Sequence, residues 1–156
     1  MAEFPEKTEK ISKKKLKQKF EKAKTVFKPV PKHPPEPVIK EDKALVYIVC
    51  PKPKKVLFVN TKGIKMRIYA NQKQIGLNSA GTYTYVYLEP GEIDLISSFL
   101  GLSLVKIKLE AGKTYYFVQQ IYIGKALNHT VLSRNTKEIV MYEIKGARYC
   151  KSLLSN

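Results

Sequence analysis

The sequence predicts a mainly β protein: an antiparallel β-sandwich with one C-terminal helix, preceded by a Lys-rich and Pro-rich arm. Three observations carry this. Turn signals recur every ~8 to 12 residues from Pro51 to Gly112, the rhythm of a sandwich or small barrel. The stretches between them are rich in Val, Ile, Leu and Tyr. Residues 1–42, in contrast, are poor in apolar side chains and crowded with Lys and Pro. The division is therefore an arm over 1–42 and one domain over 43–156, long enough to bury a core unaided.

Within the arm, Leu16, Phe20, Ala23 and Phe27 recur at helical spacing, which predicts a basic helix over residues 6–28. Such a helix would suit peripheral contact with an anionic membrane; the stripe is thin, and a solvated arm is the alternative. Residues 29–38 hold five of the nine prolines and read as an extended spacer that reaches on the order of 30 Å and holds the domain away from the N-terminus.

The domain opens with Ala44-Leu-Val-Tyr-Ile-Val-Cys50, a continuous apolar run and hence a buried strand. Residues 55–60 form a second, shorter run. Lys65–Ala70 is strand-like, and Asn71–Gln74 turns the chain into Ile75-Gly76-Leu77 as in a hairpin. Gly81 introduces the alternating strand Thr82–Leu88, closed by the Glu89-Pro90-Gly91 turn. Strands follow over Ile93–Phe99, Leu102–Leu109 and Lys113–Ile123, with a short run over Thr130–Ser133. Asn135 and Glu138 have capping-box spacing, and Val140, Ile144, Ala147 and Lys151 recur at helical intervals. One amphipathic helix is expected from Thr136 to about Tyr149, lying on a sheet face or edge.

Four phrases in this order resemble a known family: Ala44-Leu-Val-Tyr-Ile48, Ile68-Tyr-Ala-Asn-Gln-Lys-Gln-Ile-Gly76, Gly81-Thr-Tyr-Thr-Tyr-Val-Tyr-Leu-Glu-Pro-Gly91 and Leu109-Glu-Ala-Gly-Lys-Thr-Tyr-Tyr116. Together they resemble a bacterial family of small domains of unknown function, often found as lipoproteins or secreted proteins. The turn at Leu88–Gly91 is also similar to PEGA-type surface domains, which are transthyretin-like or immunoglobulin-like sandwiches. The resemblance covers about residues 44–150. It implies a β-sandwich and a cell-envelope or periplasmic setting, and it implies no activity. Cys50 stands where the family pattern has a basic residue, and the arm lies outside that pattern.

The formal charge is +16, with 13 Lys against 7 acidic residues in 1–43, and 16 Lys plus Arg against 6 acidic residues in the rest. Both parts would be drawn to polyanions, so nucleic acid is a partner through charge, without a helix-turn-helix, zinc-finger or RRM signature to make it specific. No apolar run is long enough for a transmembrane helix. Met1–Glu9 lacks the apolar stretch of a signal peptide, which fits a cytoplasmic protein or one whose leader has been removed.

Chemistry-bearing residues are few. His33 and His129 are the only imidazoles, and no nucleophile elbow, phosphate loop or zinc spacing accompanies them. The expectation is a non-enzyme without cofactor or metal. Cys50 and Cys150 would form a disulfide in an oxidising compartment, or else remain two half-buried thiols. The candidate ligand surface is aromatic. Tyr83, Tyr85 and Tyr87 share one strand face, which Tyr115 and Phe117, or Tyr116, would extend. With Lys65, Arg67 and Lys106 beside them, they would stack on sugars or bases; the other reading has the tyrosines covered by the helix or arm. The function expected is a cell-envelope binding or structural module on a Pro-rich spacer, its partner a protein or an anionic surface polymer. The alternative is a cytoplasmic protein that binds nucleic acid or another polyanion non-specifically.

Overall fold

The computed structural model describes residues 33–52, 64–123 and 128–154. The expected helix at 6–28 and the run at 55–60 lie outside them. Among the described residues, nine strands and one helix follow in order: β1 (Ala44–Cys50), β2 (Lys65–Ala70), β3 (Lys73–Ser79), β4 (Thr82–Leu88), β5 (Gly91–Ser98), β6 (Leu102–Leu109), β7 (Thr114–Ile123), β8 (Asn128–Arg134), α1 (Lys137–Lys145) and β9 (Arg148–Tyr149).

They build a two-sheet sandwich. One sheet has the order β8-β7-β1-β4-β9 and the other β3-β2-β5-β6. Most pairs are antiparallel, but β1 runs parallel to β7 and β4 parallel to β9, so the first sheet is mixed. The inner faces bury Val46 and Ile48 of β1, Val86 of β4, Phe117 of β7, Ile68 of β2 and Leu95 of β5 in one core. β1 is the innermost strand: all seven of its residues are buried. It has a sheet partner on each side and packing on each face, and this is why its sequence is continuous rather than alternating.

Local chemistry fixes the turns. Between β2 and β3, Asn71 and Gln72 both have positive φ, 45° and 69°, as a type I′ hairpin turn requires. Asn tolerates this conformation, and here its side-chain oxygen also accepts from the Asp94 backbone N–H at 2.9 Å.

The helix departs from expectation at both ends. Thr136, not Asn135, is the N-cap, its hydroxyl accepting from the Ile139 N–H at 3.3 Å. The Asn135 N–H is already committed to the Tyr116 carbonyl at 2.9 Å. α1 stops at Lys145, four residues earlier than the periodicity suggests, because the backbone after Gly146 is captured by β4: the Arg148 N–H donates to Gly81 at 2.8 Å and that of Cys150 to Tyr83 at 2.7 Å. Sheet hydrogen bonds thus override the apolar spacing that runs on through Ala147.

Candidate functional site

The outer face of the five-stranded sheet carries a floor of tyrosines. Side chains alternate along a strand, so Leu45, Tyr47 and Val49 of β1 point away from the core formed by Val46 and Ile48. Register then aligns rings from separate strands: Tyr47 lies opposite Tyr85 of β4 on one side and Tyr116 of β7 on the other. Tyr83 of β4 pairs with Tyr149 of β9. The Tyr47 and Tyr116 rings stack with centroids 5.6 Å apart, and Tyr85 stacks on Tyr149 at 5.3 Å. These separations are those of favourable aromatic pairs.

Two elements cover this floor. α1 lays Val140, fully buried, and the half-buried Met141 and Ile144 on one side of it. Residues 33–38 lie along the other. Between them is a cleft of about 320 Å³, lined by Pro34, Pro37, Tyr47, Tyr83, Tyr85 and Ile144 among others, with Glu36 and Lys145 at its margin. That volume is at the small end of ligand-sized sites. The His33 ring stacks on Tyr83 with a 3.0 Å hydrogen bond between its Nδ1 and the phenol oxygen. The Tyr87 hydroxyl donates to the Val38 carbonyl at 2.6 Å, and the Lys40 ammonium lies 4.1 Å over the Tyr87 ring. The proline-rich segment is thus docked over 33–38, and the spacer expected to hold the domain at a distance is shorter by that stretch.

Burial raises the phenol pKa values. Tyr83 is pushed up to about 12, and Tyr47 and Tyr149 move further in the same direction, with neighbouring phenols adding to the effect. The hydroxyls therefore stay neutral donors across the physiological range. A tyrosine whose folded pKa lies above its unfolded value stabilises the fold below pH ~10, and that contribution is lost as pH rises through the folded value. In a spectroscopic titration at 295 nm, Tyr47, Tyr83 and Tyr149 are expected to remain un-ionised at pH 11 in the folded chain. In concentrated urea, all ten tyrosines should ionise together near pH 10. A single transition near 10 in both conditions would show these rings to be solvated.

The predicted site residues divide. Tyr83, Tyr85 and Tyr87 do share a face, and Tyr116 extends it, whereas Tyr115 and Phe117 belong to the inner core. Lys65 and Arg67 stand on β2 and Lys106 on β6, in the other sheet, where Lys106 lies opposite Asp94. The cationic rim expected beside the tyrosines is not formed by these three residues. The reason is connectivity: β2 and β6 join the sheet that faces the opposite side of the core. Cys50 and Cys150 are both free and buried. Cys50 sits in the apolar setting of Met66 and Ile121, which pushes its thiol up to about 12, and burial raises Cys150 to about 11. His129 of β8 stacks on Tyr122 rather than on an acid. Among the described residues, no three His, Cys, Asp or Glu side chains come together as a metal-binding set, and no helix is long and apolar enough to cross a membrane.

Sequence reasoning missed Tyr47 and Tyr149. Tyr47 was hidden inside a uniformly apolar run, and Tyr149 was assigned to a helix end. Its only local signal is the Arg-Tyr pair after Gly146.

Residues 40–131 match a family described as "Protein of unknown function (DUF2846)". The curated proteins hold no match to this chain. The solved structures hold none either.

Proposed function

We propose a function from the geometry of this chain, which belongs to the DUF2846 family of proteins of unknown function: it is a non-enzymatic binding module of the cell envelope, and its tyrosine-floored cleft receives a protein partner. The cleft carries the reading. Stacked rings supply rigid apolar contact area at low entropic cost, and neutral hydroxyls supply hydrogen bonds, the combination that makes tyrosine frequent at interfaces. The raised phenol pKa values suit binding better than proton transfer at neutral pH. The envelope setting, with a PEGA-like sandwich in a lipoprotein or secreted protein, is supported by the four family-like phrases over 44–116 and by the proline-rich lead-in. Non-specific polyanion binding is the competing function. It draws on the +16 charge, but the separation of Lys65, Arg67 and Lys106 from the tyrosines weighs against a composite nucleic-acid surface.

The test combines location and contact. The full-length native protein is fractionated from its own cells, and a photo-crosslinking phenylalanine analogue is placed at Tyr87 or, for comparison, at Lys73, exposed on β3 of the other sheet. Recovery in the envelope with a protein adduct from position 87 alone is the expected result. Recovery in the cytoplasm with salt-sensitive nucleic-acid adducts would overturn it in favour of the polyanion reading.

A further inference from the structure

We propose that the tyrosine face is a recognition groove for an extended, proline-containing segment of a separate protein, and that residues 33–38 occupy it as an intramolecular stand-in. The inference rests on the binding-module reading and names the class of partner. Three observations point to it. First, the proline-rich sequence of the segment favours polyproline II, with three residues per turn. Pro34 and Pro37, three apart, are half-buried, while Pro35, Glu36 and Val38 are exposed. The two least exposed positions are thus prolines one such turn apart, and Pro35 and Glu36 also border the cleft. Second, the segment faces tyrosines: Pro34 and Pro37 line the cleft with Tyr47, Tyr83 and Tyr85. Flat aromatic rings and preformed polyproline turns fit each other with little ordering cost. Third, a hydroxyl anchors the peptide backbone. Polyproline II makes no internal hydrogen bonds, so its carbonyls are available, and Tyr87 donates to that of Val38 at 2.6 Å.

The same geometry explains why the intended occupant is a separate chain rather than a second copy. Val38 is joined to β1 by only five residues, so the resident segment competes at an effective concentration in the millimolar range. A second copy offers the same contacts without that tether and gains nothing by exchange. The resident segment also roofs the cleft without filling its roughly 320 Å³. A partner with larger side chains at the proline-flanking positions would use that space and displace it.

The experiment uses the full chain, its P34S/P37S variant, and a fluorescent peptide with the sequence of residues 29–42. A control peptide carries the same charge with Ser at the positions of Pro34 and Pro37. The substitutions lie outside every strand and the helix, so the variant is expected to keep the wild-type urea midpoint. With its resident segment weakened, it should bind the proline peptide at least ~10-fold more tightly than the wild type does. Adding Tyr87→Phe, which removes only the hydroxyl that meets Val38, should weaken this binding about three- to tenfold. Equal binding of both peptides would mean attraction by charge alone and would overturn the proposal. So would no binding of the proline peptide to the folded variant. A wild-type chain that dimerises with concentration, and loses the dimer on P34S/P37S, would make the occupant a second copy and overturn the assignment to a separate protein. If the crosslinker at position 87 captures a protein that the proline peptide fails to displace, the module reading stands and the proline-segment assignment falls. If no protein adduct forms at position 87, the module reading itself falls.

Discussion

Replacing Phe117 with Ala is expected to destabilise the domain by about 3–5 kcal/mol, read as a lowered urea midpoint at unchanged slope. Phe117 belongs to the inner core and is the largest of the fully buried side chains among the described residues. β7 delivers it between the sheets beside Ile48, its register partner on β1. Its removal takes a whole ring from a space walled by two hydrogen-bonded sheets, and such walls cannot close on the hole. The cost is therefore lost transfer energy plus a cavity. Against a typical domain stability of about 5–15 kcal/mol, this is a large share. Phe117→Leu keeps much of the volume and should cost well under half as much. Tyr122→Ala, five residues along the same strand but 45% exposed, should cost no more than ~1 kcal/mol, chiefly its ring contact with His129. A Phe117→Ala chain within ~1 kcal/mol of the wild type would contradict the sandwich packing.

Asn78→Ala is expected to cost roughly 2–4 kcal/mol, for a different reason. One end of the core is polar. Thr82 donates to the Asn78 side-chain oxygen at 3.0 Å, and the Asn78 amide donates to Gln119 at 3.1 Å. Gln119 in turn donates to Ser97 at 2.7 Å, and Ser97 meets Thr130 at 2.6 Å. All five residues are buried, so the chain links β4, β3, β7, β5 and β8 through the interior of both sheets. Without Asn78, the Gln119 oxygen loses its partner and cannot turn to water. Such a group costs about 1–3 kcal/mol to leave unsatisfied, and the Ile48 carbonyl loses a donor as well. The double variant Asn78→Ala, Gln119→Ala removes both ends of the broken bond and should be less destabilising than the sum of the two single substitutions. Equilibrium unfolding of the four chains checks this. Strict additivity would mean that the two side chains do not depend on each other.

How much of this was legible in the sequence follows from how far each physical signal reaches. The bounds of β1, β2, β4 and β6 were read to the residue, because Gly, Pro and Asn turn chemistry and period-two alternation act within a few residues of the chain. The shared face of Tyr83, Tyr85 and Tyr87 is equally local, since alternation along one strand dictates it. The cap at Thr136 was missed by one position, because Asn135 is drawn to a carbonyl of β7 that lies 19 residues back.

The tertiary structure alone decided the neighbours. Strand order places β1 between β4 and β7, and only then do Tyr47, Tyr85 and Tyr116 form a row. It also sends Lys65, Arg67 and Lys106 to the sheet across the core from the tyrosines. The parallel pairing of β9, the polar chain through Asn78 and Gln119, and the docking of Pro34 and Pro37 belong to the same group. All of these join residues tens of positions apart. Dihedral preference and hydrophobic period fix which face of an element is buried, but not against what. That choice falls to the one arrangement of sheets that buries every apolar face at once while leaving the interior polar groups bonded.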